Sequence, residues 1–358
     1  MKTSLAAALL ALAPAAVAWT WADAEGKSIK FTSVPGYFVQ DDEATSPTGF
    51  DYATANFGLV NRTYPTDKRF DAAGEKMQWQ RFEAWVKHLN SGCNKKSNVQ
   101  YKVLFMGRHG EGWHNAAESF YGTPAWNADP LLTPAGEREA YKANAYFKER
   151  YKTQKMPRFE SYYTSPLSRC TVTANLTFAD IQLPAAGRPF VPIVKEGFRE
   201  GMTLHTCNRR SSKTYISEMF PFYQFEAGFT ESDELWHASE SETDEAFAVR
   251  AKAVLDDVFV TDNKSWISVT AHSGAITQLL AALNHRPFRL ATGQIIPVLV
   301  KEVIERQPTP VFEAHEPYST CDAPPITSIA GQGCVCPTGT TSALPEPTGS
   351  EPAECSSD

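Results

Sequence analysis

Short, largely apolar runs alternate with stretches of helical periodicity from residue 101 onward, and this alternation leaves few folds open. Val103-Leu104-Phe105-Met106 is a continuous apolar run of the kind required of a strand covered on both faces. The same texture returns at Tyr162-Tyr163, at Ile193-Val194, at Trp266-Ile267-Ser268-Val269 and from Ile295 to Val303. Between these runs, helices are expected over Pro134–Tyr151, Ser168–Ile181, Thr243–Val258 and Ala275–Leu283. Thr133-Pro134 opens the first of them with a hydroxyl cap and a proline at the first helical position, and Thr243 caps the third. An earlier helix is expected over Trp79–Leu89, where Phe82, Trp85, Val86 and Leu89 recur at three-to-four spacing. Strands alternating with helices predict an α/β fold, a three-layer sandwich whose mostly parallel central sheet is flanked by helices. In such a sheet ligands bind beyond the carboxyl ends of the strands.

The ends of the chain differ from this body. Lys2 precedes the apolar run Leu5–Ala13, and Ala16-Val17-Ala18 supplies the small residues needed for cleavage before Trp19. Residues 1–18 therefore read as a secretory signal peptide, and the protein is expected to be secreted. The run is too short to cross roughly 30 Å of hydrocarbon, and no later stretch approaches a spanning helix, so no membrane partner is expected. Asn61, Asn175 and Asn263 each head an Asn-x-Ser/Thr triplet, an acceptor pattern for N-linked glycan in a secreted chain. Residues 307–358 turn to Pro, Ser, Thr and Gly without periodicity, the texture of a disordered or disulfide-tied tail. Cys321, Cys334, Cys336 and Cys355 crowd that tail, whereas Cys93, Cys170 and Cys207 are scattered. Disulfides are expected in the tail, and an odd total of seven leaves at least one thiol unpaired or intermolecular. The one-residue gap in Cys334-Val335-Cys336 is tighter than zinc-ligand spacing, so no metal is expected there. A net charge of −7 with dispersed Lys and Arg argues against nucleic acid as a partner.

Chemistry gathers where the apolar runs end. Directly after the first comes Gly107-Arg108-His109-Gly110-Glu111-Gly112-Trp113-His114-Asn115. A histidine followed by glycine at a strand end leaves its imidazole open, and Arg108 offers a planar fork of donors suited to phosphate oxygens. Ser165-Pro166-Leu167-Ser168-Arg169 follows the second run, which puts Arg169 in the first turn of a helix whose amino end favours an anion. Arg199-Glu200-Gly201 follows the third run, and Ala271-His272-Ser273-Gly274 follows the fourth and opens a helix. Each residue has a plain alternative: Arg169 an ordinary helix-start cation, Glu200 a solvated acid, His272 a satisfied buried histidine. Phosphate-competent groups at four strand ends together favour a phosphate site.

These residues identify the resemblance. Arg108-His109-Gly110 with His114-Asn115, Asp129-Pro130-Leu131-Leu132-Thr133, Ser165 to Arg169, Arg199-Glu200-Gly201 with His205-Thr206-Cys207, and His272-Ser273-Gly274 resemble the histidine phosphatase, or phosphoglycerate mutase-like, superfamily, and most closely its fungal phosphatase branch. The resemblance runs from about Phe31 to Arg306, so residues 19–306 are expected to form the catalytic domain. It implies that His109 attacks phosphorus, that Arg108, Arg169 and His272 hold the phosphoryl oxygens with Asn115, and that Glu200 is the proton donor. Glu111, Glu196 and Glu226 are lesser candidates for that last role. Where acid phosphatases and phytases of the superfamily place an aspartate after the second histidine, this chain has Ser273. His205, Arg209 and Arg210 are expected either to read the non-phosphate part of a substrate or to be a solvated loop. The implied activity is hydrolysis of a small phosphate ester through phosphohistidine without a cofactor. Its rivals are a phosphoglycerate-type mutase and a non-catalytic binder of a phosphorylated ligand.

Overall fold

The computed structural model of the protein describes residues 27–91, 98–121, 128–181, 190–306, 320–321 and 341–342. The expected signal peptide, Cys93 and most of the tail lie outside these residues. The chain divides into two units, Met1–Gln307 and Pro308–Asp358. In the first, the strands are β1 (Lys27–Ser33), β2 (Val99–Arg108), β3 (Ser161–Thr164), β4 (Ile193–Val194), β5 (Gln224–Phe225), β6 (Trp266–Ala271) and β7 (Ile295–Arg306). The helices are α1 (Asp67–Phe70), α2 (Gln78–Leu89), α3 (Trp113–Tyr121), α4 (Pro134–Thr153), α5 (Ser168–Phe178), α6 (Lys213–Met219), α7 (Asp244–Thr261) and α8 (Ser273–Ala282). The second unit contains the antiparallel pair β8 (Thr320–Cys321) and β9 (Thr341–Ser342).

The sheet of the first unit has the order β1-β7-β2-β6-β3-β4-β5. Pairing is parallel from β2 through β6, β3 and β4 to β5, and β7 runs antiparallel to both β1 and β2. Alternation along the strands sends side chains to two separate cores. Val103 and Phe105 of β2 join an aromatic core with Trp79 and Phe82 of α2, Phe147 of α4 and Phe178 of α5. Leu104 and Met106 join an aliphatic core with Val254 and Leu255 of α7 and Ile276, Leu279 and Leu280 of α8. Helices thus cover both faces, and the three-layer α/β sandwich is the observed fold. Fully burying each of these large side chains contributes roughly 1.5–3 kcal/mol.

The expected helix starts hold where the cap is local. Thr133 Oγ1 accepts from Gly136 N at 3.1 Å, and Thr243 Oγ1 accepts from Ala246 N at 3.1 Å. Helix α8 begins two residues earlier than its periodicity suggests, at Ser273, because its first amides are capped by a carboxylate distant in sequence, Glu200. Because β2, β3, β4 and β6 are parallel, their carboxyl ends open on one rim. The reversed β7 brings its amino end to the same rim: Arg108 N donates to Gln294 O at 2.9 Å and Gly293 N to His109 O at 3.0 Å. Among the described residues no helix is long and apolar enough to cross a membrane.

Candidate active site

His109 follows β2 and is held by its backbone between strands, with its N–H donating to Ala271 O at 3.0 Å. Its ring lies 2.7 Å from the Gly110 carbonyl through Nδ1. A carbonyl only accepts, so Nδ1 carries the proton and Nε2 keeps its lone pair. The residue is 2% exposed. Burial, then the charges of Arg169 and Arg108, hold the imidazole well below its usual pKa and therefore neutral.

Two further imidazoles surround it. The His272 ring centroid lies 5.0 Å away and that of His114 5.5 Å away. His272 Nε2 is 2.8 Å from Ser165 Oγ, at the end of β3, and 3.3 Å from Cys170 Sγ. Burial and the same two arginines push both rings down, His114 to about 2. Arg169 is 1% exposed, with Nη1 donating to Cys207 O at 2.8 Å and Nη2 to Asn208 Oδ1 at 3.3 Å. Arg108 Nη1 donates to Leu290 O at 2.9 Å. Among the described residues neither guanidinium forms an ion pair, and the buried Nε of each lacks a protein partner. Two cations so placed, Arg169 buried and Arg108 half-buried, make the cluster a receptor for an anion.

Glu200 completes the cluster from the loop after β4. Its Oε1 accepts from Gly201 N at 3.0 Å and Ala275 N at 3.1 Å, and its Oε2 accepts from Gly274 N at 3.0 Å. Glycine at position 274 lets the carboxylate take this seat, because a Cβ there would stand 2.1 Å from Glu200 Oε1 and displace it. The loop itself is clamped. Arg250 of α7 donates to the carbonyls of Gly197, Arg199 and Glu200, and Arg199 grips Asp233 with both terminal nitrogens at 2.8 and 2.6 Å. The charge of Glu200 acts on both Arg108 and Cys170, so the carboxylate shares the rim with the phosphate-competent groups.

His109, Arg108, Arg169, His272 and Glu200 are therefore brought together. The helix amino ends expected to hold a ligand instead hold the protein's own carboxylates: Glu200 on α8, and Asp129 on α5. Asp129 accepts from Ser168 N at 2.6 Å, Ser168 Oγ at 2.7 Å and Ser211 N at 3.0 Å. Asn115 Oδ1 accepts from Gly112 N at 3.1 Å and fixes the loop that follows His109. His205 is exposed in the 201–209 loop, outside the buried cluster, and Arg209 stacks on Trp236. The expectation for Arg210 is corrected: it is buried, bonded to Glu196 and to the carbonyls of Thr230, Glu231 and Ser232, so it has no donor left for a substrate. Glu196 and Glu226 likewise serve ion pairs with Arg199, Arg210 and Lys195, and Glu111 accepts from Thr133. Sequence reasoning assigned no role to His114, Asp129 or Arg250; the first two stood in quoted motifs, whereas nothing local marks Arg250. Among the described residues no cluster of His, Cys, Asp and Glu could hold a metal ion.

Residues 104–294 match the histidine phosphatase superfamily (branch 1). The chain belongs to that superfamily. A protein of Arthroderma benhamiae named "Probable phosphoglycerate mutase" is 44% identical to this superfamily member over 287 residues, which cover 76% of this chain and 84% of the relative. The "Phosphomutase-like protein 3" of Candida albicans is 34% identical over 328 residues, 87% of this chain and 92% of the relative. Among solved structures, a phosphoserine phosphatase of Entamoeba histolytica is 20% identical with a TM-score of 0.34, covering 55% of this chain and 94% of that one. The phosphoglycerate mutase of Thermus thermophilus is 19% identical with a TM-score of 0.32, covering 55% and 91%.

Proposed function

We propose that this histidine phosphatase superfamily member is a secreted phosphomonoesterase that hydrolyses small phosphate esters through a phosphohistidine at His109. One observation carries the reading: Nδ1 of His109 is committed to Gly110 O, which leaves its Nε2 lone pair free in a cluster with buried Arg169 and half-buried Arg108, neither of which has an ion partner among the described residues. The Nε2 lone pair forms the bond to phosphorus while the ester P–O bond breaks in line. Arg108, Arg169 and His272 hold the phosphoryl oxygens as charge spreads over them. Glu200 gives a proton to the departing alkoxide. The resulting carboxylate then takes a proton from the water that attacks phosphorus, which releases inorganic phosphate and restores His109. His205 and Arg209, exposed on the neighbouring loop, read the remainder of the substrate.

The name of the Arthroderma benhamiae relative supports the rival reading, isomerisation of a phosphoglycerate, and that of the Candida albicans relative supports a phosphomutase without naming a substrate. The secretory signal expected over residues 1–18 favours hydrolysis, because it would remove the protein from intracellular acids of that kind. Exposed Asn61 and Asn263 fit glycosylation on that route; Asn175 is half-buried on α5 and its triplet's Thr177 is buried, so it is the least accessible of the three. The deciding experiment is a rapid acid-sensitive trap of labelled phosphohistidine in the parent and in His109→Ala, run beside assays of ester hydrolysis and 3-phosphoglycerate isomerisation. Label and hydrolysis in the parent alone support the proposal. Label retained in His109→Ala, or exclusive isomerisation, rejects it.

A further inference from the structure

The third imidazole of the cluster has no part in the mechanism above. His114 sits in the first turn of α3, 7% exposed, its ring 5.5 Å from that of the nucleophile. Neither ring nitrogen has a hydrogen-bond partner among the described residues, and Nδ1 is fully buried. It packs over the backbone of Gly112, where a Cβ would come within 2.7 Å of Nδ1. The chain thus gives up a side chain at position 112 to seat a polar ring that nothing among the described residues satisfies. Leaving Nδ1 buried and unpaired is costly, so the ring is seated there for its other nitrogen, Nε2, which no described residue engages and which is left for a ligand.

Its tautomer follows from the same geometry. An imidazole N–H sealed at Nδ1 without an acceptor is a lost donor, whereas a bare lone pair there costs less, and under-satisfied acceptors are the commoner exception in folded proteins. The proton therefore belongs on Nε2. His109 shows the reverse arrangement, proton on Nδ1 and lone pair on Nε2. Adjacent rings thus offer a nucleophile and a donor. Both stay neutral beside Arg108 and Arg169, which keeps His114 a donor of one hydrogen bond, distinct from the fixed charge of the guanidiniums.

We propose that His114 is a further catalytic residue whose Nε2–H donates to a non-bridging oxygen of the bound phosphoryl group. The inference rests on the phosphate-site reading but not on turnover, so binding tests it separately. Affinity for inorganic phosphate is measured by calorimetry for the parent, His114→Ala, His114→Gln and His114→Asn, with thermal melting as a check on folding. The amide nitrogen of Gln superposes on Nε2 of His, whereas that of Asn superposes on Nδ1. The expected result is a loss of about 10- to 100-fold for Ala and Asn, the size of a donor to a charged group, with recovery in Gln. The same order should appear in kcat/KM, equally for alkyl and aryl esters, because a non-bridging oxygen does not depend on the leaving group. Unchanged phosphate affinity in a folded His114→Ala, or equal losses in Gln and Asn, overturns the inference and leaves His109 chemistry intact. A parent that binds no phosphate overturns both.

Discussion

The Glu200 carboxylate has its position set by an atom that is missing, the Cβ of residue 274. With Gly274 in place, the two oxygens collect three backbone N–H bonds; with alanine, Oε1 would lie 2.1 Å from the new methyl group and the carboxylate must swing away. Gly274→Ala should therefore resemble Glu200→Gln in kinetics while leaving the fold intact, because alanine inside a helix is favoured over glycine by roughly 1 kcal/mol. Both variants are expected to lose at least tenfold in kcat on alkyl phosphates and much less on activated aryl esters, whose alcohols leave without a proton. Equal losses on both ester classes, measured side by side, would take the proton-donor role from Glu200. At this scale the residues of the cluster were legible in the sequence because each stands beside a strand end in a short motif. Arg250 was not legible, since its three carbonyl partners lie about fifty residues away and no local pattern records them.

Each cluster residue owes its direction to an element whose end is fixed by another part of the chain. Helix α5 has no side-chain cap of its own at Leu167. Asp129 supplies it from a loop, where the residue adopts a φ of 50° and ties Ser168 and Ser211 together through three bonds. Arg169 is the next residue along, so the position of its guanidinium depends on that cap. Asp129→Ala should lower stability by about 2–3 kcal/mol, the scale of buried bonds to a charged acceptor, and should weaken phosphate affinity as Arg169 loosens. Denaturant unfolding with a phosphate titration checks this, and a stability loss with unchanged phosphate affinity would separate the cap from the site. Strands and helices were legible from period and local caps, including Thr133 and Thr243. Helix α8 was placed late and α3 missed, because distant carboxylates and loop packing leave no periodic trace in the sequence.

The charge of −7 spread over the whole chain hides a local excess of cation around Arg108 and Arg169, which composition cannot reveal. That local field has a consequence for the stability of the entire domain. His109, His114 and His272 all have pKa values lowered by burial and by the two arginines, so the folded protein refuses protons that the unfolded chain accepts below about 6.5. Stability is then complete above that pH and falls as the pH drops, by up to about 1.4 kcal/mol per unit for each imidazole. Asp233, held near 2 by Arg199, adds a loss of the same sign only below the ordinary aspartate range, while Glu226, Asp256 and Glu302, raised by burial, act in the opposite direction. A difference between variants cancels these shared contributions. Unfolding free energies measured from pH 7.5 to 5 should fall less steeply in His114→Gln than in the parent, because the amide takes up no proton in either state. Saturating phosphate should flatten the parent's curve further, since a bound anion offsets the guanidinium charges and binds only the folded chain. Parallel curves for parent and variant would mean that His114 is protonated alike in both states, and the account of a cation-dominated, desolvated pocket would fail with it.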